Sequence, residues 1–143
     1  MGLISGQATI QAPFSKRTSL TVSLRRSFIN TFYGPLLKYD DSPLRYGFTD
    51  SNLTLLHRID NRNTIDFNLL LIRDHGECIF GQEKIATDFI WGNTLSSVRW
   101  RHDGPKVSSS TSLFLTRYYI DCDVDNALLR GDMKAHITNP GIK

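Results

Sequence analysis

The amino-acid sequence predicts an all-β chain, an antiparallel up-and-down meander of about six strands. Three observations lead there. Stretch after stretch alternates between apolar and polar residues with a period of two, which sends successive side chains to opposite faces of a sheet. No stretch sustains the 3.6-residue period of an amphipathic helix. Clusters of Gly, Pro, Asn and Asp punctuate the intervals. The clearest stretch is Ile90 to His102. Ile90, Gly92, Thr94, Ser96, Val98 and Trp100 share one face there, and Trp91, Asn93, Leu95, Ser97, Arg99 and Arg101 the other, so its two tryptophans are on opposite faces.

The strands are expected near residues 3–12, 18–28, 44–58, 64–73, 90–102 and 111–121. In the first, Ile4, Gly6, Ala8, Ile10 and Ala12 oppose Ser5, Gln7, Thr9 and Gln11 until Pro13 stops the pattern. Leu20, Val22 and Leu24 alternate with Thr21, Ser23 and Arg25 in the second. Residues 29–43 carry Gly34, Pro35, two adjacent aspartates and Pro43, which predicts a long loop. The third strand sets Gly47, Thr49, Ser51, Leu53 and Leu55 against Phe48, Asp50, Asn52 and Thr54, and the turn-rich link Asp60-Asn61-Arg62-Asn63 leads into Ile65, Phe67, Leu69 and Leu71 of the fourth. Residues 74–89 and 121–132 are polar and predict two further long loops, whereas 103–110 is a shorter connection. In the sixth strand Leu113, Leu115 and Tyr119 share a face with Arg117. Residues 133–138 offer only the start of a seventh strand, and Asn139-Pro140-Gly141 reads as another turn.

Short and long connections therefore alternate. In a meander every second link lies at the same end, so short turns gather at one rim and long loops at the other, the asymmetry of outer-membrane barrels. A strand of about ten residues also has the length of a tilted bilayer crossing. With 143 residues, 40% hydrophobic and 22% charged, the chain suffices for one domain and lacks the composition of a disordered one. Its net charge of +3 is mild and its Lys and Arg residues are spread out, which argues against nucleic acid as a partner. Nowhere do 18 apolar residues run together, which removes a transmembrane helix and leaves a barrel untouched. The reading includes no signal peptide, since no Lys or Arg precedes Lys16, and no myristoylation motif at Gly2.

Several segments resemble a known family. Gly2-Leu3-Ile4-Ser5 with the alternating strand after it, Pro13, the Lys16-Arg17 turn and Leu20-Thr21-Val22-Ser23-Leu24-Arg25-Arg26-Ser27-Phe28 look like the early barrel of TonB-dependent outer-membrane receptors of Bacteroidetes type. Leu44-Arg45-Tyr46-Gly47-Phe48-Thr49-Asp50, then Asn52 to His57, Arg73-Asp74 and Trp91 to Trp100 resemble successive strands of that barrel in order. The resemblance covers roughly residues 2–137. It implies a barrel of about 22 strands with an N-terminal plug, importing an iron chelate, vitamin or glycan with energy passed on by TonB. The chain then reads as an incomplete piece of a larger transmembrane β-barrel, with no plug and no TonB-contacting segment, and too few strands to close alone. The implied location is the outer membrane. The implied partners are outer-membrane lipid, the rest of the barrel and plug of the parent receptor, and TonB through the missing plug region. The competing expectation is a small soluble β-barrel or sandwich that binds a ligand.

No catalytic or metal residue and no cofactor is predicted. Arg25, Asp50, Asn52 and Arg99 are candidates to line a lumen, although lumen walls are polar throughout and no ligand site is singled out. Tyr33, Tyr39, Tyr46, Trp91, Trp100, Tyr118 and Tyr119 gather near predicted strand ends, as a membrane-interface girdle does. Arg73, Asp74 and His75 are adjacent but lack a nucleophile motif, which predicts no enzyme. The triplet Asn52-Leu53-Thr54 matches a glycosylation acceptor in the middle of a strand. His57, His75, His102 and His136 are widely spaced, and Cys78 and Cys122 lack the Cys-x-x-Cys spacing of a metal site. Both cysteines are expected at the long-loop rim, where a disulfide requires Cα atoms within about 7 Å.

Overall fold

The computed structural model describes residues 4–36, 38–39, 42–80, 85–125 and 130–143. Alternation becomes ladder almost everywhere. The strands are β1 (Ser5–Ser15), β2 (Thr18–Ser27), β3 (Lys38–Tyr39), β4 (Ser42–Pro43), β5 (Arg45–Arg58), β6 (Asn63–Phe80), β7 (Ile85–Asp103), β8 (Ser108–Asp125) and β9 (Arg130–Ile142). The one helix among the described residues, α1 (Ile29–Tyr33), is a single turn. β3 and β4 pair with each other, and the other seven strands form one sheet in the order β1-β2-β5-β6-β7-β8-β9, every neighbour antiparallel. This is the predicted meander with one more strand than expected.

The register aligns the two chemistries into whole faces. One row across the sheet runs Ala12, Leu20, Leu55, Phe67, Val98, Leu113, Ile142. The next runs Ile10, Val22, Leu53, Leu69, Ser96, Leu115, Pro140. The third begins Ala8, Leu24, Ser51, Leu71, Thr94. Polar residues bound this band on β2 and β5, with Thr18 and His57 on the short-turn side, in a row that continues through Ile65 and Trp100, and Arg26, Thr49 and Arg73 of β6 on the other. The opposite face reads Gln7, Arg25, Asp50, Ile72, Asn93, Tyr118, Ile137 along one row and Gln11, Thr21, Thr54, Asn68, Ser97, Phe114, Gly141 along another.

A single layer cannot bury either face, and among the described residues no second layer covers the sheet. Only Cys78 and Cys122 are buried apolar residues among those described, and no side chain is fully buried. Ile10 is 70% exposed, Leu113 53% and Ile142 77%, all three on the apolar face. The accessible surface is 10778 Å². A compact monomer of this mass exposes about 7,500 Å², so the excess is the surface that a second layer or another solvent would cover.

Three expectations are corrected. Most of residues 74–89 and 121–132 is strand and not loop: β6 continues to Phe80, β7 starts at Ile85, β8 continues to Asp125 and β9 starts at Arg130, while 81–84 and 126–129 lie outside the described residues. Inter-strand pairing holds these extensions; in β6 it outlasts the hydrophobic alternation at Asp74 to Glu77, whereas in β8 Ile120, Cys122 and Val124 still alternate with Asp121, Asp123 and Asp125. Residues 130–142 form a full strand, and Asn139-Pro140-Gly141 lies within it opposite Leu115 and its neighbours. Pro140 is tolerated because β9 is an edge strand, where a missing N–H breaks no second ladder. The aromatic residues do not form one girdle. Tyr46, Trp91 and Tyr118 fall on the polar face and Trp100 and Tyr119 on the apolar face, while Tyr33 lies in α1. The side chain of Tyr39 lies outside the described residues.

The short turns do collect at one end: residues 16–17, 59–62 and 104–107. The segments 29–43, 74–89 and 121–132 share the other, as the meander order requires. Residues 29–43 are the loop that was expected, with α1 and the β3–β4 pair inside it.

Candidate functional site

The polar face carries the fixed charges. At its edge nearest β1, the Arg25 guanidinium of β2 donates to Asp50 of β5 through both Nε, at 2.7 Å, and a terminal nitrogen. Arg25 also lies over the Phe48 ring, 5.0 Å from its centre. Gln7, Ser23 and Asn52 surround this pair, and the Gln7 amide donates to the Ser23 hydroxyl at 3.0 Å. Cross-strand register explains the grouping, since Arg25 is opposite Asp50 and Ser23 opposite Asn52. Three of the four lumen candidates thus come together.

Arg99 does not join them. It lies nearer the short-turn rim on β7, opposite Asp66, with Arg101 two residues along the same strand, and Asp66 is only 6% exposed. Arg101 reaches Asp66 Oδ1 at 3.2 Å, Arg99 Nε is 4.0 Å from Oδ2, and the Asn68 amide donates to Oδ2 at 3.1 Å. Thr54 in turn donates to Asn68 Oδ1 at 2.9 Å. A carboxylate so enclosed is tolerable because two cations and an amide compensate its lost hydration. Asp66 was not singled out in sequence. Its parity with Arg99 and Arg101 was visible there; the register that pairs them was not.

Arg73, Asp74 and His75 are split by the pleat. Asp74 faces the polar side and accepts a hydrogen bond from the Tyr46 hydroxyl at 2.5 Å, with Tyr46 stacked on Trp91 at 6.0 Å between ring centres. Arg73 and His75 face the apolar side above its band. His75 Nε2 there lies 3.0 Å from Asp88 Oδ1 and 3.6 Å from Glu77, which also meets Arg45 at 3.4 Å. The ligand atoms of His75, Glu77 and Asp88 lie within 4.8 Å of one another, a set able to hold a cation, whereas the sequence spacing had suggested no metal group. Asp88 comes from the next strand, which is why spacing along the chain missed it. Asn52-Leu53-Thr54 lies inside β5 and paired on both sides.

Cys78 and Cys122 occupy the expected rim and are both free and buried. Cys78 is opposite Thr87 and Cys122 opposite Phe89, so β7 lies between them. Two strand spacings of about 4.8 Å each already exceed the Cα separation a disulfide spans. No protein-family model, curated protein or solved structure matches this chain.

Proposed function

We propose that the chain is part of the barrel wall of a TonB-dependent outer-membrane receptor, serving energised uptake of an iron chelate, a vitamin or a glycan. The observation that carries the membrane half of this reading is the apolar row that continues through all seven strands of a single uncovered sheet. From the row of Thr18 and His57 to that of Arg26 and Thr49 is eight residues, about 26 Å along the strands. At a tilt of about 40° that spans about 20 Å, close to the apolar belt of an outer-membrane barrel, about 25 Å tall.

The order of segments resembling that family's strands supports the receptor half. Strand number supports a larger whole. The first and seventh strands of an antiparallel sheet run the same way, so β9 cannot close on β1 as an antiparallel neighbour, and membrane barrels of one chain begin at about eight strands. A wall that leaves both edges open needs further strands, and exposed edges left alone invite aggregation. The soluble alternative requires its large apolar residues to be enclosed, and among the described residues the face rich in Leu and Val has no second layer against it.

The two tryptophans test the reading. With Trp91→Phe only Trp100 remains, and with Trp100→Phe only Trp91. In bilayers of brominated lipid, Trp100 on the apolar face should be strongly quenched and Trp91 weakly. Equal quenching, or none, would reject the wall. The receptor half is tested by the coding sequence around this segment, which should continue into a plug and further alternating strands.

A further inference from the structure

Above the apolar band, β2, β5 and β6 frame a groove of about 650 Å³ on the same outward side. Arg26, Thr49 and Arg73 form one cross-strand row along its floor, and His75 lies one step higher on β6. Phe28 and Asn30, at the start of the loop that holds α1, wall it in. Asn30 is held there, its Oδ1 accepting from the Tyr46 N–H at 2.9 Å. Phe28 is held too, its ring lying where a side chain on Gly6 would be.

Arg26 and Arg73 make no ion pair among the described residues. Their Cα atoms are two strand spacings apart, about 9.6 Å, which lets two long guanidinium arms converge on one tetrahedral anion over Thr49. The nearby acids are engaged elsewhere, Asp88 with His75 and Glu77 with both His75 and Arg45. The row immediately below is Leu24, Ser51 and Leu71, the top of the apolar band. A ligand seated here has phosphate chemistry at one end and hydrocarbon at the other.

We infer that this groove binds the phosphate of an anionic membrane lipid, with Arg26 and Arg73 as a two-armed clamp and the acyl chains lying on the leucine rows below. The inference rests on the membrane-wall reading, and the test separates the two. The full chain is bound to vesicles of phosphatidylcholine alone and of phosphatidylcholine with phosphatidic acid, followed by flotation, with circular dichroism checking that each variant keeps its β-sheet signal. The phosphatidic acid vesicles should bind more tightly, by about fivefold for each arginine engaged. Arg26→Gln and Arg73→Gln should each remove about that factor. The pair Arg26→Lys and Arg73→Lys keeps the charge and loses the forked geometry, so the preference should fall below that of the parent, and a preference kept in full would mean charge alone and overturn the clamp. Arg117→Gln, outward-facing but far along the sheet, should leave it intact.

Binding to both vesicle types without preference overturns the lipid site and leaves the wall standing. Failure to bind neutral vesicles overturns the wall, and the lipid site with it. An equal loss in Arg117→Gln would mean a diffuse basic belt in place of a site. Loss of the preference to inorganic phosphate at matched ionic strength would mean a site for free anions, and either result overturns the inference.

Discussion

The two faces of this sheet are made by the same strands, yet they solve opposite problems. On the apolar face no side chain has a specific polar partner: Leu20, Leu55, Phe67 and Val98 lie in line across four strands, sharing only their parity and their apolar character. On the polar face partners are specific. Asp66 needs Arg99, Arg101 and Asn68, and Asp50 needs Arg25. On the barrel-wall proposal, the difference teaches that burial is solvent-dependent. A face with no protein cover is a defect in water and a fitted surface in lipid, where the backbone must satisfy itself and the side chains need only be apolar.

The largest expected effect comes from moving a charge from one face to the other at neighbouring positions. Leu53→Arg, in the middle of the apolar band, should cost about 2–4 kcal/mol when unfolding is measured from lipid bilayers. Asn52→Arg, one residue earlier and on the polar face, should change stability by less than about 0.5 kcal/mol. Similar costs at the two positions would break the comparison, since both would then face the same medium.

A smaller effect tests the specificity of the polar face. Asp66→Ala leaves Arg99 and Arg101 facing each other without their carboxylate. Both arginines are nearly half exposed, so solvent screening limits the loss to about 1–2 kcal/mol, below that of a fully buried pair. Arg25→Ala, which frees Asp50 at the more open end, should cost less than about 1 kcal/mol. Urea unfolding of the two variants orders them, and adding Arg101→Ala to Asp66→Ala should cost little further if the pair acts as one unit.

The two faces were also unequally legible. Strand order, parity and the short turns could be read from Leu20-Val22-Leu24, Leu53-Leu55 and Ile65-Phe67-Leu69, because an apolar face repeats one simple property. The strand extensions could not. Asp74 to Glu77 has no apolar side chain on either parity, and its pairing rests on inter-strand hydrogen bonds that leave no hydropathy pattern; Ile120, Cys122 and Val124 do alternate with Asp121, Asp123 and Asp125, but the three carboxylates made the stretch read as a polar loop. β9 was legible only as the start of a strand at residues 133–138, because Asn139-Pro140-Gly141 reads as a turn and Arg130-Gly131-Asp132 carries no apolar alternation. The charged clusters were half legible. Arg25, Asp50 and Asn52 could be placed on one face, but the Asp66 cluster and the His75–Asp88 contact depend on which residue meets which across the ladder, and alternation alone does not fix that.

The smallest effect lies where both faces end, at the hairpin between β5 and β6. Asp60 Oδ1 accepts from the Arg62 N–H at 2.7 Å and the Asn63 N–H at 2.8 Å, and the Asn63 amide donates to both carboxylate oxygens at 3.0 and 2.8 Å. Asn63 in turn ties the turn to β7, accepting from the Trp100 indole at 3.2 Å. The Asn63 side chain, followed by the Arg62 N–H, holds the Asp60 carboxyl below its ordinary value. A carboxyl lowered in the folded state adds stability above its unfolded pKa, about 3.9, and loses it as pH falls through the lowered folded value. Asp60→Asn keeps one acceptor and removes the titration. The stability difference between parent and Asp60→Asn should therefore be constant above about pH 5 and shrink steadily on further acidification. Urea midpoints for the pair across the acid range measure it. A difference that stays flat down to the strongly acidic end would mean that the turn is held by its backbone alone, and that the edge joining the two faces takes nothing from charge.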